Sequence, residues 1–274
     1  MSDFFASALS LVASDRAARG PSRLACREHL ARAVELLLRC RRVAVVTGFF
    51  IPAVGAAETD GPGGAAALGR ALSRSGVEAS LWTDSSCWAV VEAASSAIGG
   101  VAVHQAEEGS SILRWSPDGL VFIERPGRAS DGRYYDMRSQ DISEVVVPLD
   151  DVVERDIVSV AVGDGGNEAG MGVLLEDLMF LMPEYGSCLS VISADVALPV
   201  DVSDWGGYAL AAALSVSVGW WCGVDGEEVA AMIKAQVTAG AVDGTTLQGE
   251  PSVDGIPLED HISLVQELRW SAGF

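Results

Sequence analysis

Short apolar runs rich in β-branched residues recur along this chain, and several end at a glycine or an acid: "RRVAVVTG" at Gly48, "VEASLWTD" at Asp84, "GLVFIE" at Glu124 and "DIVSVAVG" at Gly163, with "GVAVH" a shorter fifth. Helical patterns fall before and between them. Apolar steps from Leu24 through Leu30, Val34 and Leu37 mark an amphipathic helix, "GGAAALGRALSRSG" is a helix of small residues, and a weaker helix covers Ser85 to Ser96. Strands that are apolar throughout are buried on both faces, and helices alternating with them mean a parallel sheet. The expected fold is therefore α/β: a single three-layer domain over residues 1–274, with a mostly parallel, Rossmann-like sheet covered by helices on both faces. Residues 1–41 form its N-terminal helical lead-in. No Pro/Gly/Ser linker or solenoid repeat interrupts the alternation. In open sheets of this kind ligands bind outside the carboxyl ends of the strands.

At 274 residues such a domain buries roughly 75% of its unfolded surface. Its charge is lopsided, with 18 Lys and Arg against 38 Asp and Glu, a net of −20. That field repels phosphate backbones and anionic lipid heads, so neither nucleic acid nor a membrane is an expected partner. It keeps the chain soluble, and it admits an anionic small molecule only where basic residues gather. The five cysteines show no C-x-x-C and the three histidines no ligand spacing, which suits a reducing compartment and neither disulfides nor zinc. The first residues include Asp3 and Asp15, unlike a transit peptide, so the expected location is cytoplasmic, or the mitochondrial matrix in a eukaryote. The uncharged run from Trp205 to Val224 approaches the roughly 20 residues of a membrane span. Asp204 and Asp225 flank it, and its internal Gly and Ser favour a buried helix over Tyr208 to Trp220.

The unusual residues sit at strand ends. After the first strand come Glu58, Thr59 and Asp60, then Gly61, Gly63 and Gly64 opening a helix whose bare amides would welcome an anion. Asp84 lies about 20 residues further on, where a ribose-binding acid would stand in a dinucleotide site. The loop is too long for that turn and G-x-G-x-x-G is absent, so no nucleotide is expected. The stretch "IERPGRASDGRYYDMR" gathers Arg125, Arg128, Arg133 and Arg138, whose forked donors suit carboxylate or phosphate, or pairing with Glu124, Asp131 and Asp136. In "VAVGDGGNEAGMG" glycines let the backbone approach a ligand while Asp164 and Glu168 offer oxygen to a proton or a hard cation, and Asn167 offers both donor and acceptor. A fourth junction carries Asp195, Asp201, Asp204 and Trp205. These loops are expected to converge on one pocket.

Taken in order, "TGFF", "ETDGPGGAAAL", "ERPGRASDGRYYDMR", "VGDGGNEAGMG", "DWGGYALA" and "GEPSVDGIPLEDH" resemble the D-glutamate cyclase family, specifically its C-terminal domain. The resemblance runs from about Val43 onward and leaves out the family's separate N-terminal domain. Gly63 stands where the family often has a second proline, and Asp204 where an Asn usually precedes the tryptophan. The resemblance implies a lyase that converts D-glutamate to 5-oxo-D-proline with loss of water. It would place Asp164 and Glu168 as base and acid or as holders of a divalent ion, Mn or Mg, with Glu58 and Asp60 as the competing pair. Arg125 or Arg128 would hold the α-carboxylate, and Thr47, Gly48, Gly63, Gly64, Asn167, Trp205 and Gly206 would complete the substrate site. The implied partner is a small acidic substrate, with a homo-oligomer expected. Two alternatives stay open: an enzyme acting on another small acidic or phosphorylated metabolite, and a non-catalytic binding protein for such a metabolite.

Overall fold

Strand β1 (Arg42–Thr47) shows why the sheet forms: after Arg42 every residue is buried, Val43 and Val45 on one face, Ala44 and Val46 on the other. The computed structural model describes residues 4–16, 19–154 and 157–274. Helices α1 (Phe4–Val12) and α2 (Arg27–Leu37) precede β1, and the ribbon β2 (Phe50–Ile51) and β3 (Ala56–Ala57) follows it. Then come α3 (Pro62–Arg74), β4 (Glu78–Thr83), α4 (Trp88–Ala97), β5 (Val103–Gln105), α5 (Gly109–Arg114), β6 (Gly119–Ile123), β7 (Val158–Gly163) and α6 (Leu175–Leu181). The chain closes with β8 (Val196–Pro199), α7 (Ser203–Val218), α8 (Gly226–Thr238), the ribbon β9 (Ser252–Val253) and β10 (Ile256–Pro257), and α9 (Leu258–Ser271).

Six strands form the central sheet in the order β5-β4-β1-β6-β7-β8, and every pairing in it is parallel. The chain builds outward from β1 to β5, then returns to the other side of β1 for β6, β7 and β8. This reversal opens a crevice between the carboxyl ends of β1 and β6, the place where doubly wound sheets bind ligands. One face is covered by a thick layer that includes α2, α3, α4, α7 and α9, packed on Val43, Val45, Leu81, Val121 and Val160. The other face is covered more thinly, by Ile112 of α5, Leu178 of α6, and Leu149 and Val152 around a short 3-10 turn. The architecture is the expected three-layer α/β fold, with two small antiparallel ribbons added at its edge.

Helix α7 is apolar round its circumference and is buried from Ser203 to Ser215, as a central helix must be. Its bounds differ from the expected Tyr208 to Trp220. It starts five residues earlier, and Gly219, at φ 86°, ends it in a left-handed cap that leaves Trp220 outside and 53% exposed. No helix among the described residues is long and apolar enough to cross a membrane.

Helices α3 and α7 meet through glycine. A Cβ at Gly207 would lie 2.5 Å from Gly64 Cα, and one at Gly64 would lie 2.7 Å from Asp204 Cα. A side chain at either position forces the two backbones apart, which costs about 1–3 kcal/mol or more in a close-packed interior. Gly207→Ala is therefore expected to lower the melting temperature by several degrees, a loss that thermal unfolding would register; an unchanged midpoint would refute this close approach.

Candidate active site

The start of each of these two helices is capped by an acid belonging to the other. Asp60, just before α3, accepts from the backbone N–H of Ser203 (2.9 Å) and Asp204 (2.8 Å) at the start of α7. Asp204 in turn accepts from Gly61 (3.0 Å) and Gly64 (2.6 Å) at the start of α3. Orphan amides at a helix start need an acceptor, and carboxylate is the strongest available. The amides that the sequence offered to an external anion are thus filled by the protein's own Asp204. Gly63, Gly64, Trp205 and Gly206 sit along this seam: Trp205 is buried and donates from its indole to His261 Nδ1 at 2.8 Å, and a Cβ at Gly206 would collide with Val162.

Beside the seam, at the crevice between β1 and β6, lies a cavity of about 220 Å³. That is smaller than the roughly 300–1,000 Å³ of sites that take drug-sized ligands, and it suits a small metabolite. Three of the four strand-end loops line it: Phe49 and Glu58 after β1, Glu124 and Asp136 to Arg138 after β6, Asp164 and Asn167 after β7. The fourth loop, with Asp204 and Trp205, does not line it. Two segments outside these loops complete the wall, the lead-in with Arg19 and the stretch with Gly244, Thr245 and Asp254.

The floor is acidic and buried. Glu58, Glu124 and Asp164 are nearly inaccessible, and Asp60 lies just below. Oxygens of Asp60, Asp164 and Asp254 all lie within 4.8 Å of one another, and so do those of Glu124, Asp164 and Glu168. Burial, first, and the neighbouring acids, second, push Glu58, Asp60 and Glu124 well above the ordinary carboxylate range. Burial also raises Asp164, against the pull of Arg19, whose guanidinium pairs with it. Arg19 reaches Asp254 as well, at 3.0 Å, and these two acids hold its proton firmly. Burial thus favours the protonated form at each of these acids. Glu58 Oε1 is buried with no hydrogen-bond partner among the described residues, and Glu124 holds a positive φ of 45° just after β6 while accepting from the Ser203 hydroxyl at 2.6 Å. Backbone strain and unpaired buried acids are tolerated where the surrounding structure imposes them, and they gather at functional sites.

Glu168 is placed differently from Asp164. Its carboxylate accepts from the backbone N–H of Asp164 (2.8 Å), Gly165 (2.6 Å) and Gly166 (2.6 Å), so it ties the loop from the inside. Glu168→Gln would turn an amide N–H toward one of these donors, a mismatch worth about 1–3 kcal/mol. Faster hydrogen exchange at residues 164–166 is the expected result, and exchange equal to that of the parent protein would contradict this role.

The arginines divide by partner. Arg125 is buried; it donates to Asp84 (2.6 Å), to the Gly48 carbonyl (3.2 Å) and to the Val147 carbonyl (2.6 Å), a structural brace outside the cavity wall. Asp84, the sequence's ribose-binding candidate, is occupied by that brace. Arg128 also lies outside the wall; its backbone N–H donates to Asp150 at 2.8 Å. Thr47 ends β1 and Gly48 follows it; neither lines the cavity, and Thr47 is fully buried. Asn167 does line the cavity and donates to the Tyr135 carbonyl at 2.9 Å.

Arg19 and Asp254 were not singled out by the sequence. Arg19 is positioned by Asp201, which accepts from the backbone of Ser14 and Arg16, and by Asp15, which accepts from Gly20 N. Asp254 occupies the two-residue turn between β9 and β10, where Asp254 and Gly255 both have positive φ, 57° and 73°, as a type I′ turn requires. Asp243 holds this stretch together by accepting from Thr245, Thr246, Ser252 and Gly255, and those bonds outweigh burial and keep its carboxyl low.

A sheet of this order, with an acid-lined crevice at its reversal point, belongs to the doubly wound α/β class. The chain belongs to the family described as D-glutamate cyclase-like, C-terminal, which matches residues 9–269. The match begins well before Val43, so the lead-in that carries Arg19 is part of the family's domain. The human mitochondrial D-glutamate cyclase is 34% identical over 233 residues, covering 76% of this chain; the chain spans 38% of that relative's length. Among solved structures, an exopolyphosphatase-related protein from Bacteroides fragilis aligns at a TM-score of 0.46 and 10% identity, covering 92% of this chain and 58% of that one.

Proposed function

We propose that this domain is a lyase of the D-glutamate cyclase type, closing D-glutamate to 5-oxo-D-proline with loss of water. The observation that carries the reading is the set of buried carboxyl groups facing one another round Arg19, in a domain related to a D-glutamate cyclase. Lactam formation needs such a set. The substrate nitrogen must shed two protons, one before and one after it attacks the γ-carboxyl carbon, and the departing oxygen must gain two to leave as water. No net proton is exchanged with solvent, so a group that accepts beside groups that donate is sufficient. Asp164, held by Arg19, is the acceptor for the ammonium, and protonated Glu58 and Glu124 are the donors for the oxygen. Asp60 and Glu168 support this set from below, by capping α7 and by fixing the Asp164 loop.

The donor set also fits a hard divalent cation. Asp60, Asp164 and Asp254 offer only carboxylate oxygen, as Mg or Mn prefers. A cation held there would polarise the γ-carboxyl as a Lewis acid. The purified protein should form 5-oxoproline from D-glutamate and not from L-glutamate, with or without added Mn or Mg; chromatography of the product on a chiral phase tests this. No product from either enantiomer under any of these conditions would overturn the reading.

A further inference from the structure

We infer that Arg138 is the residue that binds the carboxylate which does not react, the α-carboxylate if the substrate is the one proposed above. Four arginines lie in the loop after β6 and Arg19 in the lead-in; of these five, Arg128 lies outside the cavity wall, and the other four separate by their partners. Arg125 is consumed by Asp84, Arg19 by Asp164 and Asp254, and Arg133 by Asp141 at 3.3 Å. Arg138 lines the cavity, yet its guanidinium has no carboxylate partner among the described residues; it donates only to the Gly244 carbonyl, at 2.9 Å. In a chain with net charge −20 and so acidic a site, an arginine left without an acid at the mouth is a cation available to an incoming anion.

The backbone that carries Arg138 is set in advance. Asp136 accepts from the N–H of both Arg138 (2.9 Å) and Gln140 (2.8 Å), and Asn167 holds the neighbouring Tyr135 carbonyl. The guanidinium thus stands across the cavity mouth, exposed to solvent, while Glu58, Glu124 and Asp164 form the buried floor. A short dicarboxylate that places its reacting end among the protonated acids can only present its other end to Arg138. The pairing is available to carboxylate as a two-pronged contact.

This assignment rests on the reading of the site as one for a dicarboxylic acid, and the test separates the two. Binding of glutarate and of butanoate, neither of which can cyclise, is measured by calorimetry to the parent protein and to Arg138→Ala. Both ligands offer a carboxyl to the floor; only glutarate has a second for Arg138. The parent should prefer glutarate by at least about tenfold, and the variant should bind the two about equally, with butanoate affinity and melting temperature unchanged. With D-glutamate, the variant should raise KM about 10- to 100-fold and hold kcat within about threefold, because this contact is the same in ground and transition states. If the preference for glutarate survives in Arg138→Ala, if butanoate is weakened equally, or if the parent shows no preference, the assignment is wrong. Failure of the parent to turn over D-glutamate while the calorimetric result holds would overturn the proposed reaction and leave the role of Arg138 standing.

Discussion

Asp164→Asn is expected to reduce lactam formation about 10²- to 10⁴-fold while the protein folds as before. Asparagine matches aspartate in size and keeps one acceptor oxygen, so what is lost is the ability to take a proton or carry charge. Of the charge contacts in the site, only the pair with Arg19 is lost. Arg19 retains Asp254 at 3.0 Å, and the loop is tied by Glu168 through the backbone of residues 164–166, with no part played by the Asp164 side chain. Burial penalises a carboxylate at this position and Arg19 favours it, so the neutral amide relieves the first and forfeits the second, and the fold is expected to persist with a modest change in melting temperature. Steady-state kinetics with D-glutamate, run beside a melting curve, checks both halves. Activity within threefold of the parent's would remove Asp164 as the acceptor and move that role to Glu58.

The second large effect is on stability against pH. Burial, chiefly, raises Asp204 to about 7, with hydrogen bonds from Gly64, Tyr208 and Gly61 pulling the other way. A free aspartate titrates near 3.9, so between about pH 4 and pH 7 the folded protein holds a proton that the unfolded chain has released. Stability is therefore fullest below about pH 4, as far as this group is concerned, and declines as pH rises through 7. The full loss is about 4 kcal/mol. Asp204→Asn keeps an acceptor for Gly61 and Gly64 and removes the titration. At two to four degrees per kcal/mol, its melting temperature should exceed the parent's by about 8–16 °C at pH 8, with little difference at pH 4. Equal gains at both pH values, or none at pH 8, would show that Asp204 is not titrating in this range.

The sheet was legible because its strands are buried on both faces. Runs such as Val43 to Val46 and Leu120 to Ile123 have no polar face to confuse with a helix or a loop. Of the acids that line the cavity, Glu58 and Asp164 were legible, because they follow strands at the edge where such sheets place ligands; Glu124 read only as a partner for the neighbouring arginines. Arg19 was not, because it lies in a segment with no periodic pattern and meets Asp164 across 145 residues of sequence. Asp254 had one signal, the pair Asp254-Gly255 between Val253 and Ile256, which is a hairpin turn and carries no hint of a pocket. The glycines misled in the opposite direction. Gly63, Gly64 and Gly206 resemble a cradle for an anion, yet their missing Cβ atoms make room for another helix or strand. Arg125 read as a substrate clamp because its partner, Asp84, stands at the end of a different strand, 41 residues away.

The central claim is that the acid-lined cavity between β1 and β6 is where D-glutamate closes to its lactam. A crystal structure with 5-oxo-D-proline bound tests it most directly. The account predicts the lactam inside the cavity of about 220 Å³, its ring nitrogen within hydrogen-bonding distance of Asp164 and its carboxylate on Arg138. Product bound at another surface, with this cavity holding only water at saturating concentration, would contradict it.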